Sequence, residues 1–191
     1  MTNKTYYHSL ELISLNALLE LKDEYTIQTL LDTFSCTKNK DLENFLHKNS
    51  IDLEKRKISR TYLYFNQDLE IIAYFTLSLK VLNTNGISKT LIQKLDGVKK
   101  DRENIPCYLI GQLGKSSKCN YKIGQYLLDR AIQEIERVNI ILGGRFIILD
   151  SVNEKKVIDF YTKKPNNFKP IKDYDKEDSN VTMFYPLYFS N

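Results

Sequence analysis

The sequence has few of the residues that hold metals or cross-link a chain. It contains two histidines and three cysteines. Cys36, Cys107 and Cys119 are far apart and form no CxxC pair. This pattern supports neither a disulfide framework nor a zinc site, and the scarcity of histidine disfavours a histidine-centred mechanism. We therefore expect no metal and a reducing compartment.

Long apolar runs are also missing. No segment approaches the roughly 20 apolar residues that span a bilayer. The N-terminal stretch MTNKTYYHSLELISLN lacks a basic start followed by an uninterrupted apolar segment. The sequence therefore predicts a cytoplasmic protein with no membrane partner.

The chain has enough apolar residues for a sizeable core. Of its 191 residues, 42% are hydrophobic and 12% aromatic, which fits one domain over residues 1–191 better than two. Its 28 basic and 24 acidic residues give a net charge of +4. That balance permits an anionic partner without requiring one.

Hydrophobic periodicity predicts a helical N-terminal third followed by a hairpin. Apolar residues spaced by three and four in 10–34 favour helices, and a further helix is predicted to begin at Asp41, which would cap it. The alternating and β-branched runs at 61–65 and 70–82 predict two paired strands.

The second half predicts an alternation of strands and helices. A short helix is expected within 83–105, which we interpret as a surface insertion. A strand follows Pro106, and the apolar run 145–150 predicts another, with a helix between them. A further helix stopped by Pro165 and a final strand, VTMFYPLYF, complete the order. The strand–helix–strand unit implies a parallel crossover, so we predict a mixed α/β (α+β) fold. The middle helix has its expected buried stripe at Ile123, Leu127, Ala131, Ile135 and Val138.

The stretch GQLGKSSKCNYKIGQYLLDRAIQ, residues 111–133, joins a strand to a helix through a lysine-rich loop. Helix N-termini favour bound phosphate through their N–H groups and dipole. The local sequence matches neither GxGxxG nor the P-loop pattern. The residues alone leave two interpretations open, a phosphate loop or an ordinary strand-to-helix connection.

The order of several strings resembles the GCN5-related N-acetyltransferase (GNAT) family over about residues 34–187. The strings are FSCTKNKDLENFLHK, SRTYLYF, IIAYFTLSL, IPCYLIGQLG and KVIDFYTKK. They are most similar to the branch that contains toxin acetyltransferases of bacterial toxin–antitoxin pairs. The resemblance implies a mostly antiparallel central sheet flanked by helices, and an acetyl-CoA-dependent transferase that acetylates a primary amine directly.

The resemblance also implies a binding site for acetyl-CoA. The end of the fourth strand would pair with the pantetheine arm and offer an oxyanion donor, and the following loop would bind the pyrophosphate. Two positions depart from the family's loop pattern, with cysteine in place of glutamine or arginine and lysine in place of the first glycine. The implied cofactor contacts are Gln112, Leu113, Gly114, Lys115, Lys118, Cys119, Asn120, Tyr121, Lys122, Ile123, Gly124, Gln125 and Asn153. For Asn153, an N-cap of the next helix is the alternative.

Tyr161 is the implied catalytic residue, because the family's FY string places a tyrosine near the thioester sulfur. It would protonate the departing thiolate, whereas the plainer interpretation is one more buried tyrosine. Four cations, Lys55, Arg56, Lys57 and Arg60, would contact the phosphates of an aminoacyl-tRNA acceptor. The plainer interpretation is an exposed basic helix end.

Several functions and partners remain open at this stage. The acceptor is the amino group of aminoacyl-tRNA, if the protein is a toxin, or a small-molecule or protein amine. An antitoxin protein and a second copy of the chain are the protein partners that we consider. The altered loop leaves a function of another class, a non-catalytic acyl-CoA-binding or interaction module on the same fold.

Overall fold

The computed structural model describes residues 11–120 and 122–188. These residues form seven strands and seven helices: β1 Glu11–Ser14, α1 Leu15–Leu21, α2 Glu24–Leu31, α3 Lys40–Lys48, α4 Ser50–Lys55, β2 Ser59–Phe65, β3 Ile71–Asn83, α5 Lys89–Asp96, β4 Asn104–Lys115, α6 Gly124–Leu142, β5 Phe146–Val152, α7 Lys155–Thr162, β6 Lys169–Pro170 and β7 Asn180–Pro186. Within these described stretches, no helix combines the length and the apolar character that crossing a membrane requires.

The strands form a mixed sheet in the order β1-β2-β3-β4-β5-β7-β6. Strand β4 pairs with β5 in parallel, with Tyr108 opposite Ile147. The β1–β2, β2–β3, β5–β7 and β6–β7 pairs are antiparallel. The predicted hairpin and the predicted parallel crossover from β4 to β5 are therefore confirmed, as is a mostly antiparallel sheet flanked by helices.

The chain divides into two compact units. Unit 1 comprises residues up to 78 together with 112–134. Its core contains Leu15, Ile27, Leu31, Phe34, Leu46, Leu63 and Tyr74, with Leu42 and Phe45 packed against them. Side-chain caps start its first three helices: Ser14 for α1, Asp23 for α2 and Asn39 for α3. The predicted cap at Asp41 is wrong, because Asn39 accepts the Asp41 N–H and begins the helix two residues earlier.

The N-terminal helical prediction is also wrong at its first residues. Residues 11–14 form strand β1, in which Ile13 lies opposite Leu63 of β2. Pairing with β2 gives this segment backbone partners that its own periodicity does not reveal. Ser14 ends the strand and caps α1, so the switch from strand to helix occurs at one residue.

Unit 2 comprises residues 79–111 and those from 135 onwards. Its core includes Leu82, Ile105, Phe146, Ile148 and Phe184. The predicted short helix in 83–105 is present as α5, capped by Ser88 and closed by Gly97 at φ 89°. Segment 83–105 also contributes buried residues to this core, namely Ile87, Ile92, Leu95 and Ile105.

Most of the predicted stripe of α6 is buried. Ile123, Leu127, Ala131 and Ile135 are at most 2% exposed. Val138 is 46% exposed, so its predicted burial is wrong. Periodicity predicts which face of a helix is buried, but it does not predict how far along the helix other elements cover that face.

Candidate functional site

The end of β4 carries the first predicted cofactor contacts, and its backbone is already engaged. The Gln112 N–H donates to Thr76 Oγ1 of β3 at 2.9 Å. Thr76 is 2% exposed and Gln112 is half-buried, so this bond is partly shielded from solvent. To serve as an oxyanion donor, the Gln112 N–H would have to exchange this partner. The sequence did not point to Thr76, because its position beside Gln112 depends on how β3 and β4 align.

Gly114 has a packing role that the sequence did not show. A Cβ at this position would lie 2.8 Å from Leu42 Cδ1. The missing side chain therefore lets α3 approach the end of β4 closely. Leu113 beside it is partly buried.

The loop after β4 is held in place by hydrogen bonds that its backbone N–H groups donate. All four N–H groups of residues 116–119 have acceptors inside unit 1. The Ser116 N–H donates to Ile72 O (2.8 Å) and the Ser117 N–H to Ser35 O (2.7 Å). The Lys118 N–H donates to Ser116 Oγ (3.2 Å) and the Cys119 N–H to Ser116 O (3.0 Å). These bonds fix the loop against β3 and the segment before α3, and Thr37 N–H adds a bond to Ser117 Oγ at 2.9 Å.

Two loop lysines are used in the same way. Lys115 Nζ donates to the Cys119 carbonyl at 2.8 Å. Lys118 Nζ lies 2.8 Å from Glu70 Oε1, and this hydrogen bond holds the pKa of Glu70 below its usual range. Asn120 and Lys122 are exposed. Tyr121, also predicted to contact the cofactor, lies outside the described residues.

The N-terminus of α6 gives the loop its attraction for an anion. The first helical hydrogen bond runs from Leu127 N to Ile123 O at 3.0 Å, so the N–H groups at Gly124 and Gln125 are directed along the helix axis toward the loop. No acidic residue lies in the first turn of this 19-residue helix. The positive end of the dipole and the exposed lysine before it have the sign that a pyrophosphate needs.

Tyr161 lies in α7 of unit 2 and is 8% exposed. Its ring contacts those of Phe160 and Phe168, with centroids at 5.0 and 5.8 Å. The Tyr161 carbonyl accepts the Phe168 N–H at 2.9 Å, which closes the loop after the helix. Burial raises the pKa of Tyr161 to about 12. The hydroxyl therefore keeps its proton throughout the physiological range, as a hydrogen-bond donor or general acid must.

Asn153 fastens a loop in unit 2. Its side-chain amide donates to the carbonyls of Asp175 and Asp178, at 2.7 and 2.9 Å. The N-cap of α7 is Glu154, which makes no side-chain cap bond. The alternative of Asn153 as the cap is therefore wrong, and its predicted contact with the cofactor stays a prediction.

The predicted basic patch at residues 53–60 is largely neutralised within unit 1. Three of its four cations face carboxylates: Lys55 to Glu24 (2.5 Å), Arg56 to Asp52 (2.8 Å) and Arg60 to Glu54 (2.6 Å). Lys57 follows the helix with φ 60°. The contacts of the four cations with tRNA phosphates stay a prediction, and the three carboxylates offset part of their charge.

A second basic segment surrounds Tyr161, and the sequence reasoning missed it. The signal is the lysine pair at each end of the string KKVIDFYTKK. Lysines 155, 156, 163, 164 and 169 are all exposed. Asp159 lies between Lys155 and Lys163, at 3.4 and 2.9 Å, and hydrogen bonds from Lys163 and then Lys155 lower its pKa.

The fold is shared with solved toxin structures. AtaT complexed with acetyl-methionyl-tRNAfMet is 20% identical, with a TM-score of 0.67 over 93% of this chain and 94% of that one. A tyrosine-to-phenylalanine mutant of the AtaT toxin, bound to the C-terminus of the antitoxin AtaR and acetyl-CoA, is 19% identical, with a TM-score of 0.64 over 93% of each chain. A tyrosine-to-phenylalanine mutant of KacT is 20% identical, with a TM-score of 0.67 over 93% of this chain and 95% of that one.

No family model and no curated protein matches the sequence. At these identities the likeness establishes the fold, and it confirms the GNAT-like architecture expected from the strings.

Proposed function

We propose that the protein is an acetyl-CoA-dependent N-acetyltransferase that transfers the acetyl group directly to a primary amine. The observation that carries this proposal is the fold, which is shared over 93% of the chain with an AtaT toxin whose structures are described with acetyl-CoA and with acetyl-methionyl-tRNA. The α6 N-terminus and the buried Tyr161 add the groups that such a reaction uses.

Residues 122–125 and the N-terminus of α6 are the part of the chain best suited to hold the pyrophosphate. The helix dipole, the lack of acidic residues in its first turn and Lys122 all favour an anion. The loop at 115–119 would serve mainly as a rigid support, since its N–H groups and two of its lysines already have acceptors. Bound there, acetyl-CoA would supply the reactive thioester.

Tyr161 would stabilise the thiolate that leaves as the C–S bond breaks, and the thiolate would take its proton from water. The Tyr161 pKa of about 12 exceeds the roughly 8.5 of a thiol, so full transfer of the proton to the sulfur is unfavourable. The hydroxyl acts by donating a hydrogen bond to the developing negative charge. No side chain is assigned as general base, and the amine would lose its proton to water.

Within this proposal, the acceptor is the amino group of an aminoacyl-tRNA, and the protein is a growth-inhibiting toxin. The support is again the structural likeness to AtaT, solved with acetyl-methionyl-tRNA and with its antitoxin AtaR. A matching antitoxin partner for this chain belongs to the same proposal. A small-molecule or protein amine is the competing acceptor.

A second candidate function is a non-catalytic binding module on the same fold. The observation that favours it is the loop, in which four N–H groups are already bonded. Cys119 and Lys122 also replace residues that are usual in the family's loop. In this case the chain would bind a partner without acetyl transfer.

Calorimetry with acetyl-CoA, followed by an acetyl-transfer assay, separates these functions. We expect saturable binding and transfer of labelled acetyl to methionyl-tRNA at a higher rate than to free methionine or a peptide amine. The absence of binding at millimolar acetyl-CoA would overturn the enzyme proposal. Binding without transfer to any amine would favour the non-catalytic module, and transfer only to small amines would overturn the tRNA acceptor.

A further inference from the structure

One short segment has the same net charge as the whole chain. Residues 155–170 contain five lysines and one aspartate, a net +4, which equals the net charge of all 191 residues. The remaining 23 basic and 23 acidic residues cancel. This 16-residue segment is thus strongly basic, whereas basic and acidic residues balance over the rest of the chain.

This charge lies at the surface. The side chains of Lys155 and Lys163 are 89% and 69% exposed, and they share the single carboxylate of Asp159. Lysines 156, 164 and 169 are exposed as well. No large hydrophobic side chain is exposed within residues 155–170, all of which are described.

We propose that these five lysines form the surface that binds the phosphates of the tRNA acceptor, and we call them the α7 lysine surface. Four of them lie on or directly after the helix that carries Tyr161. Phosphates bound there would lie beside the helix that carries Tyr161. This inference rests on the proposed tRNA acceptor and assigns its binding to five exposed lysines, two of which pair with Asp159.

The composition of the surface favours a nucleic acid over other anionic partners. Protein interfaces are depleted of lysine at their centres and contain aromatic or aliphatic anchors, which this surface does not expose. An interfacial membrane helix needs an exposed apolar face, which is also missing. Phosphate contacts need only accessible cations, and lysine is suited to them as a point charge.

Two matched triple variants test the assignment. K163Q/K164Q/K169Q removes three charges from the α7 lysine surface, and K55Q/R56Q/K57Q removes three from the segment 53–60. Affinity for uncharged tRNA is measured at 50–200 mM KCl. We expect the first variant to bind about tenfold more weakly and its slope of log K against log salt to fall in magnitude by about 2. The second variant should change both quantities much less.

A variant that is expected to strengthen tRNA binding serves as a control, because damage to the fold would weaken binding. D159N removes the one carboxylate of the segment and frees Lys155 and Lys163, so we expect tRNA to bind several-fold more tightly. Equal losses in the two triple variants, or an unchanged D159N, would overturn the inference. So would loss of binding to anionic lipid vesicles with tRNA binding unchanged, because the surface would then serve a membrane.

Calorimetry with acetyl-CoA on the same variants distinguishes this inference from the proposed function. If every variant binds acetyl-CoA and the triple variants bind tRNA equally well, only the α7 lysine surface is refuted. If the wild-type protein binds no acetyl-CoA, the proposed enzyme fails whatever tRNA does. Thermal melting of each variant checks that the fold is retained.

Discussion

The two basic segments of the chain look alike in sequence and differ in structure. In unit 1, the segment 53–60 sets three of its four cations against carboxylates. In unit 2, residues 155–170 contain five exposed lysines, of which only Lys155 and Lys163 are shown to pair with Asp159. Three cations of the first segment are paired within unit 1, whereas we propose that the lysines of the second segment bind a partner. A run of lysines thus indicates a binding surface only after the acids that face it have been counted.

The acidic residues that pair with the cations of segment 53–60 are not all close to it in the sequence. Lys55 pairs with Glu24, 31 residues earlier in the sequence. Glu54 is 1% exposed and accepts from Arg60 at 2.6 Å and from the Thr61 N–H at 2.7 Å. Its ion pair is therefore part of the junction between α4 and β2, whereas most of the ion pairs elsewhere on the surface contribute little.

Y161F should have the largest effect. If it left the rate unchanged, the contrast between segment 53–60 and residues 155–170 would not hold. Loss of the hydroxyl should lower the rate of acetyl transfer about 10²- to 10³-fold and leave the dissociation constant of acetyl-CoA unchanged. Single-turnover rates and calorimetry measure the two quantities. Y185F is the control, because Tyr185 packs on the same Phe168 ring at 5.2 Å. A loss of melting temperature without a loss of rate would make residues 155–170 a structural segment like 53–60.

E54Q should have the next largest effect, on stability rather than on binding. The neutral amide weakens two hydrogen bonds of a buried side chain, so the free energy of unfolding should fall by about 2 kcal/mol. The control is D52N, because the Arg56–Asp52 pair is more than half exposed and should be worth well under 1 kcal/mol. Urea denaturation measures both variants. Equal effects would mean that the ion pairs of segment 53–60 do not have the structural role assigned here.

E43Q should have the smallest effect. It tests whether a paired carboxylate of unit 1 makes stability depend on pH. Glu43 accepts from Lys40 at 2.8 Å and from the Cys36 N–H at 2.8 Å, and these bonds lower its pKa to about 2. A carboxyl with a depressed pKa stabilises the fold above its unfolded pKa of about 4.3 and loses that contribution as the pH falls through about 2. Wild type should therefore be more stable than E43Q near neutral pH, and the difference should shrink in acid. A difference that is independent of pH would contradict this account.

Much of the fold could be predicted from the sequence, because its helices and strands have strong periodicity. The β2–β3 hairpin, the helix α5 and the stripe of α6 up to Ile135 all follow from local patterns. Strand β1 and the two-residue strand β6 could not be predicted, since both depend on a partner elsewhere in the chain.

The candidate site was less accessible to sequence reasoning. Local strings located Tyr161 and the loop before α6, but they did not show which donors were already bonded. The partners of the loop, Ile72, Ser35 and Glu70, come from segments 40 or more residues away. Because its N–H groups and Lys118 are bonded to these partners, the loop is better suited to support a neighbouring site than to bind phosphate itself. The N-terminus of α6 is therefore the main candidate for binding the anion.

The most direct test of the central claim is the transfer of labelled acetyl from acetyl-CoA to methionyl-tRNA by the wild-type protein and by Y161F. The account predicts acetyl-methionyl-tRNA with the wild type and a product rate at least about 100-fold lower with Y161F, although both proteins bind acetyl-CoA. Equal rates for the two proteins, or no acetylated product from a wild type that binds acetyl-CoA, would contradict it.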